Sequence, residues 1–279
     1  LPHLTGRYRV FALLRNAARA ADWRRAGAQP LFADLDDARS LGRIAGLADV
    51  VLHLAPPPNQ GSCDTRTKHL LAALSMGKSL PRCLIYVSTT GVYGDCGGAA
   101  IDETRQLKAE SPRAGRRVDA EASLRAWGAR NAVRICILRA PGIYAADRLP
   151  LERLDKGLPA LVAADDVFTN HIHADDLAAA CVAAMRQGQA NRTYNVVDDS
   201  DLKMADYFDQ VADAFALPHP PRLTREAAST VLSPMQMSFM RESRRIANRR
   251  IKQELKLHLA FPSVSDGIAD AVKGRAVCS

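Results

Sequence analysis

Leu84-Ile-Tyr-Val-Ser-Thr-Thr-Gly-Val-Tyr-Gly-Asp95 is the stretch that decides the fold. Its first four residues are the apolar, strand-prone run of a buried strand; hydroxyls and glycines then take over where such a strand ends. In a parallel α/β sheet ligands lie beyond the carboxyl ends of strands, so Ser88 and Thr89 are placed to meet a cofactor or substrate. Ser-Thr runs also close strands for plain turn reasons, and that alternative stays open here.

Working outward from this strand, apolar runs and helical patterns alternate. Arg9–Leu14 reads as a short strand, 17–26 as an Ala/Arg-rich helix, and Leu31-Phe32 with Asp34-Leu-Asp-Asp37 as a second strand with an acidic exit. Residues 38–47 read as helical, 49–55 as a strand halted by Pro56-Pro57-Pro58, 65–76 and 120–129 as helices, and 133–138 as a strand. This alternation predicts an α/β fold with a doubly wound parallel sheet. After Tyr144 the pattern loosens into helices at 149–157, 176–186 and 204–215, an extended segment at 168–173 and a short strand at 194–197. From Pro218 onward helices with Pro-rich breaks predict a smaller, mainly helical C-terminal lobe. The expected domains are a dinucleotide-binding domain over 1–144, to which 168–200 returns, and a substrate lobe made of 145–167 and 201–279.

The 279 residues, 47% hydrophobic and 24% charged, match ordinary globular composition and can build a large core. No apolar run reaches the ~18 residues of a membrane span, and residues 1–6 have no secretory character, so a cytoplasmic protein is expected. The six cysteines, Cys63, Cys83, Cys96, Cys136, Cys181 and Cys278, are scattered without metal-site spacing. Much of the net charge of +8 falls in Arg241–Lys256, RESRRIANRRIKQELK. Ile246, Ile251 and Leu255 there space an apolar helix face with the basic residues opposite, a solvated surface rather than a nucleic-acid site. His171 and His173 share one strand face, but no third ligand accompanies them and no metal is expected. Asp175 and Asp176 open a helix, where carboxylates cap free N–H groups.

Five segments in order, HLAPPP (53–58), IYVSTTGVYGD (85–95) with Ile101-Asp-Glu103, LRAPGIY (138–144), NHIHADDLA (170–178) and YNVVDD (194–199), resemble an extended, atypical short-chain dehydrogenase/reductase of the NAD-dependent epimerase/dehydratase superfamily. The resemblance covers nearly the whole chain. It implies a Rossmann-type fold that binds NAD or NADP, a small-molecule substrate held by the C-terminal lobe, and a homodimer formed through two packed helices. By the same resemblance Ala55 and Pro56 line the cofactor's ribose side, Asp34 and Leu35 contact the adenine, Pro141 backs the nicotinamide, and Tyr93 is structural. Ser88 borders the cofactor cleft. Arg15 follows the strand after which NAD-preferring proteins carry an acid, so NADP is slightly favoured.

Two departures qualify the resemblance. The family's opening strand and G-x-x-G-x-x-G turn, whose glycines let backbone approach the diphosphate, do not precede Arg9. Roughly 20–25 residues of strand, turn and helix are expected to be missing, and the chain is expected to be a truncated form of a longer one. The second departure is in the Tyr-x-x-x-Lys pair: aligned on Glu121, its positions fall on Arg113 and Arg117. Arginine stays protonated and cannot replace the phenol as proton shuttle, though Arg117 can supply the positive charge of the Lys. Thr89 keeps the family's hydroxyl, and Tyr144 is a spare phenol that could act as acid/base. The candidate catalytic residues are therefore Thr89, Arg117 and Tyr144. The reading is an NAD(P)-dependent oxidoreductase acting on a sugar nucleotide or other carbonyl/hydroxyl substrate; the alternative is a non-catalytic dinucleotide-binding sensor or scaffold.

Overall fold

The computed structural model describes residues 1–278, and for 276–278 the backbone alone. Strands of three or more residues are β1 (Val10–Leu14), β2 (Ala28–Phe32), β3 (Val50–His53), β4 (Cys83–Thr89), β5 (Arg134–Ala140), β6 (Gly142–Tyr144), β7 (His171–His173) and β8 (Arg192–Asn195). Helices are α1 (Ala20–Arg25), α2 (Thr65–Ser75), α3 (Pro112–Asn131), α4 (Leu151–Asp155), α5 (Ala174–Gln187), α6 (Met204–Ala214), α7 (Arg225–Val231), α8 (Pro234–Phe239), α9 (Arg249–Gln253) and α10 (Val264–Cys278).

The chain forms two compact units. The first comprises Leu1–Thr89, Ser111–Leu138 and Ala178–Thr193; the second comprises Thr90–Glu110, Arg139–Leu177 and Tyr194–Ser279. The predicted alternation holds in the first unit, with a strand order β8-β5-β4-β3. β3 and β4 run parallel, Val50 opposite Cys83 and His53 opposite Tyr86. β1 and β2 also run parallel, Val10 opposite Ala28 and Leu14 opposite Phe32, but they pair with each other alone. Where the alternation predicts one sheet, hydrogen bonding among the described residues produces two. β1 and β3 each keep an edge without a strand partner; Val50, Val51 and Leu52 of β3 are half-buried, whereas Ala12 and Leu14 of β1 are buried with Ala28 of β2.

Capping chemistry sets the helices of this unit. Asp64 accepts the Thr67 N–H at 3.1 Å to start α2, and Ser111 accepts the Ala114 N–H at 3.2 Å ahead of Pro112 to start α3. The start of α3 at 112 rather than 120 follows from that cap and from Pro112, whose fixed φ suits a first helical position. Ala120, Leu124 and Trp127 of α3 then bury against Leu84 and Tyr86 of β4, Ile135 and Ile137 of β5, and Leu70, Leu71 and Leu74 of α2. Gly128 permits that closeness, since a Cβ there would stand 2.3 Å from Ile135 Cγ1. Residues 17–26, read as one helix, divide into a 3-10 turn (Ala17–Arg19), capped by the Asn16 side chain, and the short α1. Residues 38–47 likewise form a 3-10 turn over Ala38–Ile44.

In the second unit, β6 and β7 run parallel, Gly142 opposite His171 and Tyr144 opposite His173. Its core gathers Tyr144, Leu149, Leu154 and Leu161 with Tyr207, Phe208 and Val211 of α6, Met237 and Met240 of the 233–240 segment, and Val264 and Ile268 of α10. The single helix predicted over Arg241–Lys256 is not formed. Arg245-Ile246 pair with Ala100-Ile101 as a two-residue parallel bridge, and only Arg249–Gln253 is helical. Ile246, Ile251 and Leu255 are buried as expected, but strand pairing recruits the first of them. Among the described residues no helix is long and apolar enough to cross a membrane.

Candidate functional site

Within the first unit the predicted binding residues follow successive strands at their carboxyl ends. Arg15 is exposed at the end of β1, directly before the Asn16 cap, whose Oδ1 accepts the Ala18 N–H at 2.9 Å. Asp34 and Leu35 follow β2 in a pinned loop. The Asp34 N–H donates to Ser40 Oγ at 2.8 Å, and His69 Nδ1 donates to the Leu35 carbonyl at 2.8 Å. Ala55 and Pro56 follow β3, the first half-buried and the second exposed.

Arg66 joins two of these loops. Its Nε and Nη2 donate to both carboxylate oxygens of Asp36 at 2.7 and 2.6 Å, and its Nη1 donates to the Pro56 carbonyl at 3.0 Å. Such a fork is strong and directional. The hydrogen bond from Arg66 holds the Asp36 carboxyl below its ordinary value, against the effect of desolvation. Neither residue was singled out in the sequence, because partners thirty positions apart leave no local pattern.

At the end of β4 the two hydroxyls part. Ser88 is buried and donates from Oγ to Glu121 Oε1 at 2.7 Å, so its proton points into the unit. Thr89 is half-buried on the opposite face of the strand. Arg117 Nη1 donates to the Val87 carbonyl at 2.7 Å and to the Tyr86 hydroxyl at 3.0 Å, with its guanidinium 5.5 Å from the Tyr86 ring centre. Burial pushes the Tyr86 phenol up to about 12, so it remains protonated. Arg113 is exposed one turn earlier on α3, on the face that carries Arg117.

Beneath this edge runs a hydrogen-bond chain. Thr67 Oγ1 donates to Asp64 Oδ2 at 2.7 Å, so it can only accept from His53 Nε2, 2.8 Å away. That assigns the Nε2–H tautomer to His53. Burial, with help from the Arg117 charge, drives the His53 pKa down to about 3, and the ring is neutral at physiological pH. The cap of Asp64 on Thr67 is local in the chain; its link to a strand histidine is not.

The remaining two predicted residues lie in the second unit. Pro141 separates β5 from β6 and is half-buried. Tyr144 is 2% exposed and donates from its hydroxyl to the Ser263 carbonyl at 3.2 Å. Its ring sits edge-on to His173 at 5.2 Å, and a Cβ on Gly267 would stand 2.4 Å from it. Burial pushes this phenol far up. Tyr144 is thus built into the core of its unit. Tyr93 donates to Asn195 Oδ1 at 2.7 Å and accepts from Arg139 Nη1 at 2.9 Å, the arrangement of a structural phenol. Asp176 accepts the N–H groups of Ala260 and Phe261 at 2.8 and 2.9 Å, bracing a loop rather than its own helix. His171 and His173 are both buried, and no group of three ligands gathers among the described residues.

The profile of the NAD dependent epimerase/dehydratase family matches residues 3–197. The chain belongs to that family. A functionally unknown conserved protein from Silicibacter pomeroyi DSS is 28% identical and aligns 96% of this chain with 91% of its own at a TM-score of 0.75. A UDP-glucose 4-epimerase from Thermotoga maritima, solved with UDP-glucose, is 17% identical over 98% of this chain and 93% of its own, with a TM-score of 0.77. A dTDP-glucose 4,6-dehydratase from Streptomyces venezuelae, solved with NAD, is 20% identical over 95% and 86%, with a TM-score of 0.76. The latter two likenesses establish the Rossmann-type fold. No curated protein matches the chain.

After β1, β2 and β3 stand, in turn, an exposed cation, a pinned Asp-Leu loop, and a small residue with a proline beside it. For the diphosphate, the glycine-rich helix start that the family uses is not among the described residues, where β1 follows a turn containing Gly6 alone.

Proposed function

We propose that this protein is an NAD(P)-dependent oxidoreductase of the epimerase/dehydratase type, acting on a sugar nucleotide or another carbonyl/hydroxyl compound, with NADP preferred. Family membership over residues 3–197 carries the reading, supported by the order in which Arg15, Asp34, Leu35, Ala55, Pro56, Ser88 and Thr89 follow the strands. The nicotinamide group would supply the hydride chemistry. Of the chain's own groups, Thr89 holds a substrate oxygen, and Arg117, anchored on Val87 and Tyr86, keeps a positive charge beside it. Ser88 stabilises the strand end through Glu121.

A second reading, a dinucleotide-binding sensor that performs no turnover, is favoured by one observation. Both Tyr-x-x-x-Lys positions hold arginine, and the Arg117 guanidinium is already bonded to Val87 and Tyr86. Incubation of sugar nucleotides deuterated at their ring carbinol carbons with NADP+, and of a panel of ketones with NADPH deuterated at C4, separates the two readings. Transfer of deuterium to NADP+ or to a ketone supports the oxidoreductase, and Thr89→Val is then expected to lower kcat by at least about tenfold with cofactor affinity unchanged. Cofactor binding without transfer in either direction supports the sensor.

A further inference from the structure

We propose that Arg66 is a positioning residue for the adenosine half of the dinucleotide, fixing the loop after β2 against the loop after β3. This rests on the reading that those two loops receive the cofactor.

The loops' need of outside support is the first observation. Residues 33–37 and 54–58 belong to no strand or helix; Asp34, Leu35 and Ala55 are half-buried, and Asp36 and Pro56 are exposed. Sheet pairing ends before them, so their shape depends on the side chains that tie them down.

The second observation is that one helix ties both. α2 is itself firmly seated: Asp64 caps it, Thr67 accepts from His53 of β3, and Leu70, Leu71 and Leu74 bury in the core of the unit. From that base Arg66 and His69, three residues apart on one face, reach the β2 loop. Arg66 takes both oxygens of Asp36, and His69 takes the Leu35 carbonyl. The Asp36 N–H in turn donates to Asp34 Oδ1 at 2.9 Å, which carries the restraint on to the Asp34 carboxylate. Arg66 also reaches the β3 loop, through Nη1 and the Pro56 carbonyl at 3.0 Å.

Geometry is the third. A surface ion pair contributes little when two long side chains must be ordered to make it. Here three bonds to two partners fix the guanidinium plane, and the Arg66 side chain is only 19% exposed. The ordering is complete before a ligand arrives, and loops already ordered lose less freedom on binding, which appears as affinity. Arg66 therefore acts through Asp36 and Pro56 without touching the cofactor.

The test is titration of the intact protein with NADPH and with NADH, followed by nicotinamide fluorescence. In Arg66→Gln the two Kd values are expected to rise together, by about tenfold, while the emission maximum of the bound nicotinamide at saturation stays that of the wild type. Asp36→Asn breaks the same fork from its other side and is expected to match, with the double variant no weaker than either single one. Arg25→Gln, which removes the exposed pair with Asp22, is expected to change nothing. Unchanged affinity in a folded Arg66→Gln or Asp36→Asn protein overturns the proposal. A shifted emission also overturns it, because the loosening then extends beyond the adenosine half, and so does a loss confined to NADPH, which would make Arg66 a phosphate contact. Failure of both variants to fold at the titration temperature overturns it too, by reducing the fork to a folding element. The underlying reading is separated by the wild type: binding there with no effect of the variants fails the positioning role alone, and no binding of either nucleotide fails both.

Discussion

Between about pH 4 and about pH 8 the stability difference between wild type and Asp198→Asn is expected to swing by about 4 kcal/mol, the variant gaining as pH rises. Asp198 is 4% exposed in the second unit; Oδ1 accepts the Ser200 N–H at 3.0 Å and Oδ2 is enclosed without a partner. Burial, reinforced by the charges of Asp199 and Asp176, pushes its pKa from 3.8 to about 7. A folded-state pKa raised above the unfolded one favours the folded protein in acid. That contribution is complete below about pH 4 and lost as pH rises through about 7. Asn cannot ionise and has no such loss. His53 and His171, driven by burial to about 3 and about 4, act in the opposite sense: each costs stability as pH falls below 6.5. Both remain in the variant, so they cancel in the difference. Urea denaturation at a series of pH values measures it, and a flat difference would mean that Asp198 is paired or hydrated.

Arg15→Glu is expected to weaken NADPH binding by about 100-fold and to change NADH binding by no more than a few-fold. A charge-assisted hydrogen bond to phosphate contributes about 1.5–3 kcal/mol, and reversing the charge adds repulsion to its loss. Arg15 is exposed immediately after β1, and the Asn16 cap fixes the turn that it leaves. Because the site is open to solvent, the loss should shrink as salt is raised. Fluorescence titration with both nucleotides gives the ratio; an equal fall for the two would remove Arg15 from 2′-phosphate recognition.

What the sequence disclosed, and what it hid, follows the range of the interactions concerned. The buried strand before Ser88 was legible because four consecutive apolar residues need a covered sheet, and Leu84, Ile85 and Tyr86 are indeed fully buried. Asp64 and Ser111 were legible in principle as caps, since they act three residues away. That β1 and β2 pair with each other alone was not legible in either strand's own residues, though the expectation of a missing opening strand leaves room for it. Nor was the fate of Arg241–Lys256: helical spacing of Ile246, Ile251 and Leu255 was real, yet pairing of Ile246 with Ile101 outweighed it locally. At the candidate site, composition alone could not tell the inward Ser88 from the neighbouring Thr89, or the core phenol of Tyr144 from a reactive one. The Arg66–Asp36 fork and the Asp64–Thr67–His53 chain required the tertiary structure.

The central claim, that the ends of β1 to β4 form a dinucleotide site, is tested most directly by titrating the protein with NADPH and with NADH and following nicotinamide fluorescence. Saturable binding of both, tighter for NADPH, is the predicted result. No binding of either at millimolar concentration would contradict it.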